Sequence, residues 1–249
     1  MKKQLLIFAA AVLAAGTFQL GAQPSGGSGG PQFDKSLEKL FGDNQVFSAT
    51  LEVQMNSSAN SNKVSGKMSF ENGNLRFETD MADMKGQSIT PEILAHMKSL
   101  GMDHMVNISL PDQKTIYVIY PNAQAYVEVT VPPGDSSATN GNVKLDTTEL
   151  GKETVDGHPC LKNKDVITDS QGEKHEFTVW NATDLKNFPI KIEVNQEDND
   201  IVETFKDISF TEPDASQFSP PANCTKYDSV QEMMQSVMMK HMGGTMPPN

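Results

Sequence analysis

The chain has 249 residues, of which 32 are acidic and 20 are Lys or Arg, giving a formal charge of −12. A charge of this sign repels phosphate groups, so we expect neither nucleic acid nor an anionic membrane surface as a partner. The roughly 200 residues that follow the N-terminal leader suit one domain with a sizeable core.

The first 22 residues have the pattern of a secretory signal peptide. Lys2 and Lys3 form a short positive region, an apolar run follows from Leu5 to Ala15, and Ala22 is a small residue at the expected cleavage site. The apolar run is too short to span a bilayer well, and no cysteine stands near the cleavage site to carry a lipid. We therefore predict an exported, periplasmic protein without a stable membrane anchor.

A Gly/Ser-rich leader at 23–31 precedes the first structured segment. A short helix is predicted over Asp34–Phe41, because apolar residues share one face and Gly42 ends it. The period then changes to two in FSATLEVQM at 47–55, where apolar and polar residues alternate as in a half-buried strand.

A hairpin and a second helix are predicted next. Asn72-Gly73 stands between two alternating runs and favours a tight turn, since both residues tolerate positive φ. Thr90 and Pro91 suit the start of a helix, and Gly101 suits its exit. Further strands are predicted at 106–110, 115–120 and 125–131.

The second half repeats the strand pattern after a polar loop at 132–142. Ser229 and Glu232 form a capping-box pattern that predicts a C-terminal helix at 229–242, followed by a disordered tail at 243–249. The remaining strands are predicted near 145–153, 160–168, 174–181, 189–196 and 200–210.

These elements predict an α+β fold that is mostly antiparallel β, forming a single domain over residues 32–242. We expect a curved, incomplete half-barrel of about 10–11 strands, with the three helices covering its concave face. Such a fold leaves an apolar cavity between sheet and helices. The residues expected to line the cavity are Leu51, Val53, Met68, Phe70, Phe77, Ile93, Met97 and Val118.

Three segments carry a resemblance to a known family. They are ELGKETVDGHPCLKNKDV, with Gly151–Cys160 as its matched part, HEFTVWNATDLKNFPIKIE, with Trp180–Lys191, and DISFTEPDASQFSPP, with Pro213–Pro220. Together they resemble the second half of LolA/LolB-like periplasmic proteins, closest to an uncharacterised bacterial branch known as a domain of unknown function. The first half of the chain resembles the same family in its Asn72-Gly73 hairpin, which follows a strand that contains Phe.

The resemblance implies a half-barrel closed by helices that carries lipoprotein acyl chains through the periplasm. The expected partner is an apolar small molecule or lipid acyl chain, and other envelope proteins are expected as donors or acceptors. The best-known carriers place an arginine near the cavity mouth. This chain has one arginine, Arg76, and the resemblance does not assign it to that position.

The two cysteines, Cys160 and Cys224, are predicted to form a disulfide, because thiols in an oxidising compartment usually pair. Two free thiols, or a metal or catalytic role for Cys160, are the alternatives. His158 and Cys160 alone supply too few ligands for zinc. No partner base for a cysteine nucleophile can be identified from the sequence.

Fourteen methionines support an alternative function as a periplasmic Cu(I)/Ag(I)-binding protein. Thioether sulfur is a soft ligand, and Met238 and Met242 are predicted one helical turn apart, with His241 adjacent to Met242. Methionine also suits the adaptable apolar face of a lid helix, which needs no metal.

No phosphate-binding loop, nucleophile elbow or zinc-protease motif occurs in the sequence. We therefore expect a monomeric binding protein that is not an enzyme and needs no cofactor. A third hypothesis is an envelope interaction module whose cavity has collapsed and holds no small ligand.

Overall fold

The computed structural model describes residues 37–57, 61–86, 89–130, 143–168, 172, 174–195, 199–241 and 243. The predicted signal peptide (1–22), the leader (23–31), the loop at 132–142 and the tail from 244 lie outside the described residues.

Within this part of the chain, twelve strands form one sheet. In chain order they are β1 (Val46–Ser57), β2 (Ser61–Glu71), β3 (Asn74–Asp80), β4 (His104–Leu110), β5 (Thr115–Tyr120), β6 (Ala125–Thr130), β7 (Lys144–Val155), β8 (His158–Thr168), β9 (Lys174–Ala182), β10 (Phe188–Asn195), β11 (Asn199–Ser209) and β12 (Thr225–Tyr227).

The strand order is β12-β6-β5-β4-β3-β2-β1-β11-β10-β9-β8-β7, and the sheet is curved and open rather than closed into a barrel. The pairs are antiparallel except for β12 with β6, which is parallel. Because β1 pairs with both β2 and β11, the two halves of the chain form two wings on either side of it. The predicted open, mostly antiparallel sheet is confirmed, and β12 is the strand that the sequence did not indicate.

The Asn72-Gly73 hairpin joins β2 to β3 as predicted. Asn72 has φ 47° and Gly73 has φ 87°, the left-handed values that a tight hairpin turn requires.

Two α-helices are described, α1 (Pro91–Ser99) and α2 (Val230–His241). The segment predicted as a helix over Asp34–Phe41 is a 3₁₀ helix at Leu37–Phe41, and its earlier residues are not among those described. Neither α-helix is long and apolar enough to cross a membrane, considering only the part of the chain that is described.

Side chains cap both α-helices. The Thr90 hydroxyl accepts a hydrogen bond from the backbone N–H of Ile93 at 3.3 Å. Ser229 Oγ accepts from the N–H of Glu232 at 3.1 Å, and Glu232 Oε2 accepts from the N–H of Asp228 at 3.0 Å. The predicted capping box is therefore present, with its second bond displaced by one residue.

One side of the sheet, called the inner face, carries the buried side chains of β1 that include Phe47, Leu51 and Val53. Cross-strand partners lie on the same side of a sheet, and they place Phe70 opposite Phe47 and Phe205 opposite Leu51. These residues belong to the central cluster, whose buried members are Leu40, Phe41, Phe47, Ala49, Leu51, Val53, Val64, Met68, Phe70, Phe77, Cys160, Ile167, Phe177, Val179, Trp180, Ala182, Phe188, Ile190, Ile192, Val194, Ile201 and Phe205.

The 3₁₀ helix contributes Phe41 to the central cluster. The ring centroid of Phe41 lies 4.8 Å from that of Phe47 and 5.7 Å from those of Phe188 and Phe205. This aromatic group ties β1 to the strands of the second wing, because Phe188 and Phe205 belong to β10 and β11.

A second group, the methionine cluster, lies at the β12 end of the sheet and includes residues of both α-helices. Its buried members are Met81, Met97, Leu100, Met102, Met105, Tyr120, Ala125, Val127, Tyr227, Met233 and Val237.

The opposite side of the first wing is the outer face, and the chain that leads to β12 crosses it. Gln217 accepts hydrogen bonds from Arg76 Nη1 through its backbone oxygen (3.3 Å) and from Ser69 Oγ through its side chain (3.1 Å). Phe218 packs with Ile108 and other buried residues of β4 and β5. These contacts position the segment before β12 so that β12 pairs with the edge of β6.

Candidate functional site

The sheet residues predicted to line a cavity lie together on the inner face. Met68 on β2 pairs with Phe77 on β3, and Phe77 pairs in turn with Asn107 on β4, which pairs with Val118 on β5. Leu51, Val53 and Phe70 are placed on the same side by the ladders of β1 and β2. The ladders therefore place these residues on one side of the sheet, and their role in lining a cavity stays a prediction.

The environment of these residues differs along the surface. Leu51, Val53, Met68, Phe70 and Phe77 are each at most 2% exposed and belong to the central cluster. Val118 is half-buried and packs against the methionine cluster, where Met97 of α1 is buried. Ile93 lies one helical turn before Met97 and is 46% exposed, so it extends beyond this contact.

Asn107 interrupts the apolar row between Phe77 and Val118. It is buried, and neither its Oδ1 nor its Nδ2 has a hydrogen-bond partner among the described residues. Buried amide groups in native proteins are normally paired, so this position on the inner face is polar and unsatisfied.

Glu203 is the second unsatisfied polar residue on the inner face. It lies on β11 opposite Val53 of β1 and Ile192 of β10. It is 2% exposed, and its Oε2 has no hydrogen-bond partner in the described part of the chain. Burial in this aliphatic setting raises the pKa of Glu203 to about 8, because removal from water disfavours the charged form.

The sequence carries a signal for Glu203 that was overlooked. In β11 the buried positions alternate as Ile201, Glu203 and Phe205, so an acid occupies a position where the period of two requires an apolar residue. A charge at an apolar position of a strand is the pattern to search for.

Asp165 is a third buried polar residue, in the second wing. It pairs with Phe177 across β8 and β9 and is 4% exposed. Burial raises its pKa, and a hydrogen bond with Thr147 offsets part of that effect. Its Oδ1 has no partner among the residues described.

The methionines are concentrated where the helices contact the sheet. Of the fourteen in the chain, seven are buried in the methionine cluster or packed against it. They are Met81, Met84, Met97, Met102, Met105, Met233 and Met234. Thioether side chains fill irregular apolar space, so this junction can repack around different shapes.

The alternative metal site remains a prediction. Met238 is 38% exposed on α2, His241 is also exposed, and Met242 is not among the described residues. The described residues contain no group of three or more His, Cys, Asp or Glu side chains placed to hold a metal ion.

The predicted disulfide between Cys160 and Cys224 is wrong. Both cysteines are free. Cys160 lies in β8, Cys224 immediately precedes β12, and nine strands lie between β8 and β12 in the sheet. A disulfide needs Cα atoms within about 7 Å of each other, which this placement rules out.

Cys160 also lacks the surroundings of a nucleophile. Its thiol donates a hydrogen bond to the backbone oxygen of His158 at 3.4 Å, whereas His158 Nδ1 lies 2.8 Å from Asp184 Oδ2. Burial raises the pKa of Cys160, and the nearby carboxylates of Asp184 and Glu153 add to this. The thiol therefore stays protonated, the unreactive form.

Cys160 borders an open groove of about 430 Å³ at the turn between β7 and β8. Its lining residues are Lys152, Glu153, Thr154, Pro159, Cys160, Leu161 and Thr183. This lining mixes polar and apolar residues and, apart from Thr183, lies on the outermost hairpin of the second wing, away from the predicted lining residues.

Known proteins are matched only at the level of structure. No family model and no curated protein matches the chain. A LolA-superfamily protein from Nitrosomonas europaea is 8% identical with a TM-score of 0.36, covering 74% of this chain and 94% of its own. Structures of LolA-like proteins are thus among those that this chain is similar to, as the sequence resemblance predicted.

Two mycobacterial proteins give structural matches of comparable score. LprF from Mycobacterium bovis is 14% identical with a TM-score of 0.36, covering 76% of this chain and 94% of its own. The lipoprotein LppX from Mycobacterium tuberculosis is 12% identical with a TM-score of 0.39, and the match covers 71% of this chain and 94% of LppX. At such TM-scores, the function has to be argued from this chain's own residues.

Proposed function

We propose that this protein is an exported, periplasmic carrier that holds an apolar ligand, a lipid or a lipoprotein acyl chain, against the inner face of its sheet. The observation that supports this most strongly is the row of apolar side chains on one side of an open sheet, which runs from β1 to β5 and is interrupted only at Asn107 of β4. A wide apolar surface on an open sheet suits a ligand that is itself apolar and of variable length.

In this proposal the inner face is the concave side, and the helices act as its cover. Met97 of α1 and Met233 of α2 are buried in the same cluster as Tyr120 and Val127 of the sheet. Separating the helices from these strands would extend the inner face toward Ile93, which is exposed in the present arrangement. The proposed lining is Leu51, Val53, Met68, Phe70, Phe77, Ile93, Met97 and Val118.

The proposal is tested by ligand recovery and uptake. Protein purified without detergent is analysed by native mass spectrometry and by organic extraction, and it is then titrated with a fluorescent fatty acid. A co-purifying lipid, or saturable uptake of the fatty acid, is expected. The absence of both contradicts the proposal.

Two neighbouring residues of β5 provide matched variants for the uptake assay. Val118 faces inward and Tyr117 faces outward, and both are half-buried. We expect Val118→Lys to reduce fatty-acid uptake at least tenfold, because a charge on the apolar surface must be desolvated. Tyr117→Lys, beside Glu128 on the outer face, should bind as the wild type does. Equal loss in both variants would place the ligand elsewhere.

A further inference from the structure

Glu203 is set within apolar side chains on every neighbouring strand. Along β11 its inner-face neighbours are Ile201 and Phe205, and across the ladders it faces Val53 and Ile192. All four of these side chains are at most 2% exposed. Glu203 is thus the only polar group in this part of the described inner face.

An unpaired carboxyl group in such a place is unfavourable for the fold alone. Leaving a buried polar group without a partner destabilises the fold, and an apolar residue at the same position would avoid this penalty. Residues that violate a local rule in this way are expected at functional positions. The missing partner of Oε2 is therefore best supplied by a bound molecule.

The chemistry of the partner follows from the protonation of Glu203. No described Lys, Arg or His lies among its cross-strand neighbours on β1 and β10. Farther along this side of the second wing, the strand register places Asp165, whose pKa is also raised by burial, His175 and the exposed Glu149. With a pKa of about 8, Glu203 carries a proton at neutral pH and offers an O–H donor.

We propose that Glu203 recognises the carbonyl group of an acyl ligand, donating a hydrogen bond to an ester or amide oxygen while the inner face holds the chain. This inference rests on the proposed carrier function and assigns to Glu203 the recognition of the ester or amide group of that ligand. The apolar row supplies affinity for the chain, and Glu203 distinguishes an acyl compound from a plain hydrocarbon.

The test compares two probes with the same number of non-hydrogen atoms. Methyl laurate and pentadecane are each used to displace a bound fluorescent hydrocarbon from the full-length mature protein. The wild type is compared with Glu203→Met, which removes the donor, and with Glu203→Gln, which keeps an N–H donor. Ile192→Leu, directly opposite Glu203, is the control for a change of shape without a change of polarity.

We expect the ratio of ester affinity to alkane affinity to fall about threefold to tenfold in Glu203→Met, the range for one hydrogen bond. The ratio should stay near the wild-type value in Glu203→Gln and Ile192→Leu. An unchanged ratio in Glu203→Met overturns the inference while leaving the carrier function intact. Failure of the wild type to bind either probe removes the carrier function itself.

The wild type alone provides a second readout, which does not depend on the folding of a variant. Raising the pH through 8 removes the proton from Glu203, so ester affinity should fall relative to alkane affinity. A ratio that is constant from pH 6 to pH 9 overturns the inference. Tighter binding of laurylamine than of methyl laurate also overturns it, because an amine would require the ionised carboxylate.

Discussion

The carboxyl group of Glu203 links the stability of the native sheet to pH. Its ordinary pKa is 4.5, the value expected in the unfolded chain, and burial raises it to about 8 in the folded chain. Between these values the native state holds a proton that the unfolded state has lost. The free energy of unfolding contributed by this group therefore falls as the pH rises from about 4.5 to 8.

Glu203→Gln should remove this dependence, because the amide does not titrate. We expect the wild type to lose about 1.4 kcal/mol of unfolding free energy for each pH unit in the middle of this window relative to the variant. Urea denaturation at pH 5, 6, 7 and 8, followed by the fluorescence of the single tryptophan, Trp180, measures the difference.

Asp165→Asn is the control for the other buried acid, whose pKa is also raised. It should leave the Glu203 contribution in place and remove only its own. Parallel curves of unfolding free energy against pH for the wild type and Glu203→Gln would contradict the raised pKa of Glu203.

At the scale of elements, strand β2 depends on one glycine. A Cβ at Gly66 would lie 2.5 Å from the backbone oxygen of Glu78 and 2.5 Å from Cζ of Phe77. The missing side chain makes room for the Phe77 ring on the inner face. Gly66 therefore stabilises the row of lining residues because its lack of a side chain leaves space for the Phe77 ring.

Gly66→Ala should lower the free energy of unfolding by about 1–3 kcal/mol, the usual cost of overpacking a buried site. It should also weaken fatty-acid uptake, because Phe77 must move. Lys67→Ala, at the exposed neighbouring position, should stay within about 0.5 kcal/mol of the wild type. Urea denaturation of both variants decides this, and equal stability would contradict the packing argument.

Most elements could be predicted from the sequence, because each carries a local pattern. The alternation in 47–55 and the Asn72-Gly73 turn identify β1 and the following hairpin without knowledge of their neighbours. β12 could not be predicted, because three residues show no period and its pairing with β6 depends on how 210–224 crosses the outer face. The spacing of apolar residues in so short a segment also cannot distinguish the 3₁₀ helix at Leu37–Phe41 from an α-helix.

The whole molecule is organised by the pairing of β1 with β11. Because of this non-local contact, β7–β11 lie on one side of β1 and β2–β6 lie on the other. The sequence contains no information on strand order, so the prediction that Cys160 meets Cys224 failed although both strand and segment were located. The same pairing places Glu203 beside Val53, so the alternation within β11 can single out Glu203 but cannot show which residues surround it.

The separation of the cysteines leads to a direct prediction. Protein prepared without reductant and treated with iodoacetamide in denaturant should gain two labels, since Cys160 and Cys224 lie on different wings. Intact mass spectrometry measures the labels. Without denaturant, labelling of Cys160 should be slow, because the residue is buried and its thiol is protonated. No labelling before reduction would show that the two wings approach each other.

The measurement that tests the carrier proposal most directly is photo-crosslinking with a fatty acid that bears a diazirine near the end of its chain. Adducts are mapped by tandem mass spectrometry of the digested protein. We predict adducts on inner-face residues of β1 to β5, foremost Leu51, Met68, Phe77 and Val118. Adducts confined to the outer face around Tyr117 and Tyr126, or to the groove beside Cys160, would contradict the proposal.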